Sequence, residues 1–247
     1  MPRAGAEPGM SGILYIISAP SGSGKTTLVN ELRQYVPSLE FSVSFTTRPP
    51  RGSEQDGREY HFITHEEFEA RINRDEFLEY ALVFGNYYGT TKSVLQQAGE
   101  RGNDVLLDID VQGERQVKQK MPDAVSIFVL PPSRTELESR LRKRSLSENV
   151  HAEEVIRRRL DTARREIEKY PNYDYILIND RLEQSVDRLQ AIVLGERIRR
   201  SGDIPSAEGK KYLETAEKCL KSHMEEEIKV ILNSFDEPSS VAAEAKK

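Results

Sequence analysis

The chain has 247 residues, 37% of them hydrophobic, with 36 Lys and Arg against 41 Asp and Glu and a formal charge of -5. That is enough apolar material to bury a core, so a disordered chain is excluded and one large domain, or one with small insertions, is expected. A single cysteine, Cys219, excludes an internal disulfide and a cysteine-built zinc site, the four histidines form no HExxH motif, and the acidic balance excludes a generic nucleic-acid coat while leaving room for local basic clusters.

Residues 1–11 are rich in Gly, Pro and Ala and are expected to form a flexible leader, with Met10 an alternative start. "ILYIIS" follows as a buried strand; its apolar run is too short to span a membrane and no basic signal region precedes it. No export, no membrane and no nucleic-acid partner are expected, and a reducing cytoplasm fits best.

The next stretch, "SAPSGSGKTT", leads into a helix from about Lys25 to Tyr35 that ends before Pro37. A strand, a glycine-containing turn and a helix start can direct several backbone N–H groups at one anion, and the helix field adds to them. Ala19, Pro20, Ser21, Gly22, Ser23, Gly24, Lys25, Thr26 and Thr27 are therefore the candidate loop for a nucleoside triphosphate. Gly22 and Gly24 permit its turns, Lys25 meets the outer phosphates, and Thr26 offers a hydroxyl to Mg2+. Ala19 stands where the usual pattern has Gly, which is tolerable if it needs no positive φ.

From 41 to 93 the rhythm changes to short polar strands, a Pro/Gly loop and one small helix, as an inserted lobe would. "SVSFTTRPPRGSEQDGREYHF" sets Arg48 and Arg51 on a Pro-flanked loop, near Ser44, Thr47 and Tyr60; two guanidinium groups held this way can grip a phosphate dianion. Parallel-sheet signals resume with "DVLLDID" (Asp104 to Asp110), "AVSIFVL" (Ala124 to Leu130) and "YDYILIN" (Tyr173 to Asn179), each followed by helical sequence. Asp108 and Asp110 alternate along their strand, so both carboxylates are expected on one side at its carboxyl end, suited to ordering Mg2+ or its waters. The fold class is α/β, a phosphate-loop parallel sheet flanked by helices, with core segments 12–40, 94–138 and 166–202.

The stretch from 139 to 165 is helical and arginine-rich, with "SLSENVHAEE" as a polar interruption, and is expected to act as a mobile lid. Arg140 and Arg144 are four apart and share a face. Beyond Gly202, Tyr212, Ala216, Leu220, Met224, Ile228, Ile231 and Phe235 recur at helical spacing, and one amphipathic helix with a frayed end is expected over 203–247. Its apolar stripe either docks on the chain's own core or serves self-association or a partner.

"SVSFTTRPPRGSEQDGREYHF", "FLEYALVFGNYYGT" and "LLDIDVQG", following the phosphate loop in that order, resemble guanylate kinase, over about Gly12 to Arg200. The resemblance implies a kinase that transfers a phosphoryl group from Mg-ATP to GMP. It implies that Ser44, Arg48, Arg51, Tyr60 and Tyr88 bind the GMP phosphate, that Glu79, Thr90 and Asp110 read guanine with Asp108 nearby, and that Asn179 lies near adenine. Arg140, Arg144 and Arg159 would correspond to lid arginines; "RKRS" departs here from the family's Gly-containing turn, and Arg157 and Arg158 read as a solvated face. Independently, guanine presents two adjacent N–H donors on its pairing edge, which an ionised carboxylate accepts, whereas adenine sets a ring acceptor beside its donor. A non-catalytic binding module on the same fold is the competing class; it could dispense with Lys25 and the lid arginines, which this chain keeps.

Overall fold

The computed structural model describes residues 12–83, 85–147 and 153–236. The expected leader (1–11), the centre of the lid interruption (148–152) and the frayed end (237–247) lie outside the described residues.

In chain order the elements are β1 (Leu14–Ser18), α1 (Lys25–Leu32), β2 (Leu39–Phe41), β3 (Phe45–Thr46), β4 (His61–Phe62), α2 (His65–Asn73), β5 (Phe77–Val83) and β6 (Asn86–Thr91). There follow α3 (Lys92–Glu100), β7 (Asp104–Asp108), α4 (Val111–Lys120), β8 (Val125–Leu130), α5 (Arg134–Ser147) and α6 (Glu153–Ile167). β9 (Tyr175–Ile178), α7 (Leu182–Ser201), α8 (Ala207–Lys218) and α9 (Glu225–Ser234) complete the chain. The alternation is that of a parallel-sheet α/β protein, and its contacts divide it into two units. One comprises residues up to Ser18 and Pro37–Ser126; the other comprises Ala19–Val36 and the chain from Ile127.

In the first unit β7 pairs in parallel with both β1 and β2. All five β1 residues are buried, as a strand covered on both faces requires. Leu14, Ile16, Val105, Leu107 and Ile109 form one core with Leu78, Ala98 and Val117. The inserted lobe is a second sheet in the order β4-β3-β6-β5. Its strands are held by an aromatic cluster in which Phe68, on α2, stacks on Phe77 at 4.3 Å and on Tyr87 at 5.0 Å. The β5–β6 pairing shifts register between Phe77 and Glu79, opposite Thr91 and Thr90. Such a bulge re-aims the side chain that follows it.

The second unit is built on β8 paired in parallel with β9, with α7 packed on β9 and α1 on α7. The tail is two helices rather than the single one expected. α8 stops at Cys219, and Leu220 turns extended, with φ -59 and ψ 138, to bridge antiparallel to Tyr175. Ile176 N donates to Cys219 O at 2.8 Å and Lys221 N to Asp174 O at 3.1 Å, so the tail satisfies part of the outer edge of β9. α8 lies close on α7, where a Cβ on Gly195 would stand 3.3 Å from that of Ala216. Ala216, Ile228, Ile231 and Phe235 are buried, so this part of the stripe docks on the chain itself.

Candidate active site

The loop Ala19–Thr27 lies wholly in the second unit. Gly22 has φ +93 and Gly24 φ +89, conformations that side chains rarely adopt. A Cβ would also meet Leu141 Cδ2 at 2.9 Å from Gly22, and Asn179 Nδ2 at 2.4 Å from Gly24. Among the described residues only Ser38 and Asp75 have positive φ without being Gly, so Ala19 meets the condition set for it. Gly24 is the N-cap of α1; no side chain caps that helix start and its first turn holds no acidic residue. Lys25 is its first residue, and the side chains of Thr26 and Thr27 are exposed.

Asn179, following β9, donates from Nδ2 to Ser23 O at 2.7 Å. Arg140, on α5, donates to Ser23 O at 3.2 Å and to Asn179 O at 3.0 Å, with Glu136 accepting from its Nε at 2.8 Å. Both residues thus hold the Ser23 carbonyl of the loop. Arg144 is exposed one turn further along α5, and Arg159 is half-buried on α6.

The other candidate residues all belong to the first unit. Arg48 is 6% exposed, and its guanidinium sits 4.9 Å from the centre of the Tyr60 ring and 5.6 Å from that of Phe62. Tyr60 meets Tyr88 edge-on at 5.8 Å. Glu54 accepts from Arg48 Nη1 at 2.6 Å and Nη2 at 2.8 Å, and from Arg51 N at 2.8 Å. This fork holds the Glu54 carboxyl below its ordinary value and the guanidinium above its own. Arg48 Nε is buried and has no partner among the described residues. Arg51 has an exposed side chain. Burial, then the negative charge of Asp108, pushes the Tyr60 hydroxyl up to about 12. Glu54 was not singled out in the sequence, because a six-residue separation within a loop has no periodic signature.

Glu79 lies on β5 just past the bulge and is 3% exposed. Burial raises its carboxyl to about 7, against a hydrogen bond from Thr90 that lowers it, while Asp110 raises it further. Thr90 Oγ1 is 3.1 Å from Ser44 Oγ, and both residues are buried.

One expectation needs correction. Asp108 ends β7, but Asp110 is not on that strand; it is the N-cap of α4, and its Oδ1 accepts from Gln112 N at 3.0 Å and Gly113 N at 2.9 Å. The strand stops because the two amides at the helix start offer an Asp more than a further ladder position would. The two carboxylates therefore do not share a strand face.

A family model described as guanylate kinase matches residues 11–196. The chain belongs to the guanylate kinase family. It is 59% identical over 226 residues to a guanylate kinase of Koribacter versatilis, covering 92% of this chain and 97% of the relative. To a guanylate kinase of Escherichia coli K12 it is 48% identical over 192 residues, covering 77% of this chain and 91% of that one. Among solved structures, that of guanylate kinase from Anaplasma phagocytophilum matches with a TM-score of 0.63 at 34% identity, over 76% of this chain and 87% of that one. No helix among the described residues is long and apolar enough to cross a membrane.

Proposed function

We propose that this chain transfers the γ-phosphoryl group of ATP to GMP, giving ADP and GDP. Family membership makes it a nucleoside monophosphate kinase, and the observation that carries the choice of acceptor is Glu79. A carboxylate at 3% exposure, beside Thr90 and near Asp110, is costly to keep unless something that donates twice, as the guanine edge does, uses it.

The segment 41–93 is the GMP-binding lobe and 139–165 the lid. Glu79, Thr90 and Asp110 read the base, with Asp108 nearby. Glu54 occupies the Nη1–Nη2 edge of Arg48, which leaves Nε–H and the remaining Nη2–H as a second edge of parallel donors. That edge grips the GMP phosphate, joined by Arg51, Ser44, Tyr60 and Tyr88. The amides of Gly22–Thr27 and the Lys25 ammonium hold the ATP phosphates at a helix start free of acidic residues. Asn179 borders adenine, and Arg140, Arg144 and Arg159 stabilise charge on the group in flight.

No three or more His, Cys, Asp and Glu among the described residues form a metal cluster. Mg2+ arrives with the nucleotide, since this ion is commonly held by phosphates and one or two protein oxygens. The Thr26 hydroxyl and, through water, the Asp108 carboxylate are the oxygens offered. When bound, Mg2+ neutralises charge on the donor phosphates. The acceptor oxygen is already anionic, so the residues have to align and stabilise rather than supply a general base. The buried thiol of Cys219 suits a cytoplasmic enzyme.

The test is ADP release from purified protein with GMP, AMP, CMP and UMP as acceptors. Turnover with GMP far above the other three is expected; equal use of AMP and GMP sinks the proposal.

A further inference from the structure

Resting on the guanylate kinase reading, we infer that Gly113 is a specificity-determining residue of the acceptor site: its missing side chain is the space that keeps the Glu79 carboxylate in place to read guanine.

Gly113 is the third residue of α4, and its backbone does not require glycine, since it is not among the positions of positive φ. Alanine inside a helix is favoured over glycine by about 1 kcal/mol, so the reason for glycine lies outside the backbone. A Cβ on Gly113 would stand 2.5 Å from Glu79 Oε2, 3.1 Å from Glu79 Cδ and 3.3 Å from Ile109 Cβ.

Neither partner can yield easily. Glu79 is buried within the lobe, where swinging aside breaks its bond with Thr90. α4 is fastened to β5 on both sides of Glu79. Gln116 Nε2 donates to Tyr80 O at 2.7 Å, Tyr80 N returns a bond to Gln116 Oε1 at 3.2 Å, and the Lys120 ammonium donates to Leu78 O. Gly113 N also donates to Asp110 Oδ1 at 2.9 Å, so one residue sets both carboxylates assigned to the base. A methyl group here displaces Glu79 by a good part of an ångström, enough to stretch a charged hydrogen bond beyond its working range.

The test compares Gly113→Ala with the parent enzyme on GMP and on inosine monophosphate, which keeps the ring N–H but lacks the exocyclic amino group. KM for GMP is expected to rise at least about tenfold while kcat and KM for ATP stay within about twofold, a loss of acceptor binding alone. The preference for GMP over inosine monophosphate should fall with it. Glu79→Asp withdraws the carboxylate by one methylene, so in that background adding Gly113→Ala should change KM for GMP less than about threefold.

An unchanged KM for GMP in Gly113→Ala overturns the inference, as does the same fold-loss in both backgrounds, or a loss confined to kcat. Should Gly113→Ala not fold, folding restored by Glu79→Asp supports it, and failure in both backgrounds overturns it by placing the clash elsewhere. Parent enzyme that fails to prefer GMP over AMP would instead bring down the kinase reading itself.

Discussion

Glu79 combines a structural cost with the functional use proposed for it, and the two have opposite pH signs. Its carboxyl is raised by burial from 4.5 to about 7 in the folded chain, so between those values the folded state binds the extra proton and the unfolded state does not. Its contribution to stability therefore declines as pH rises from 4.5 to 7, and the ionised group costs the fold on the order of 3 kcal/mol above that range. Guanine recognition runs the other way, since only the carboxylate accepts both N–H groups. We expect kcat/KM for GMP to climb between pH 6 and 8, with protons released on binding below 7. The GMP phosphate itself titrates near pH 6, and Glu79→Gln separates the two effects because it keeps the phosphate contribution while removing the carboxyl. A profile whose slope near pH 7 is the same in Glu79→Gln as in the parent would show that this carboxyl does not titrate in the working range.

The tail helices α8 and α9 extend past the residues matched by the family model, which end at 196. They nevertheless pack as part of the second unit. Ser234 Oγ accepts from Arg134 N at 3.0 Å at the start of α5, and Arg164 on α6 pairs with Asp236 at 2.6 Å. The end of α9 and the residues just after it thus bond to both helices that carry the arginines assigned to the lid. Ile231, 2% exposed, is its most telling position: Ile231→Ala should cost about 2–4 kcal/mol, read as a lower urea midpoint at unchanged slope. An unmoved midpoint would mean that α9 is undocked in solution and that its stripe serves another partner. What the sequence conveyed at this scale follows from what is local. Strand β1, the turns at Gly22 and Gly24 and the start of α1 are set by neighbours in the chain, and so is the stripe from Tyr212 to Phe235. The break of that stripe at Leu220 is set by the edge of β9, Asp110 leaves its strand to cap α4, and Glu54 reaches Arg48 across a loop. Each of these is a long-range or irregular bond that carries no period. Gly113 stood in a quoted motif, but its meaning depends on Glu79, 34 positions earlier, and no spacing rule connects them.

At the scale of the whole chain, the residues assigned to the two substrates fall into separate units. The phosphate loop, Asn179 and the α5 and α6 arginines belong to one, and every residue assigned to GMP, from Ser44 to Asp110, belongs to the other. Substrate binding should therefore be separable by mutation even though turnover is not. Lys25→Ala removes the cation assigned to the ATP phosphates and leaves untouched the fork of Glu54 on Arg48 and the cluster around Glu79, all of which are built from the other unit's own contacts. Removing one strong charge stabiliser from a phosphoryl-transfer site lowers kcat by about a hundred- to a thousandfold or more. The dissociation constant for GMP, measured by calorimetry without ATP, should meanwhile stay within about twofold of the parent value, a change below about 0.4 kcal/mol. The reverse experiment, Glu79→Gln, should weaken GMP and leave the affinity for ATP alone. If Lys25→Ala abolished GMP binding as well as turnover, the acceptor site would depend on the phosphate loop for its formation, and the assignment of one substrate to each unit would be wrong.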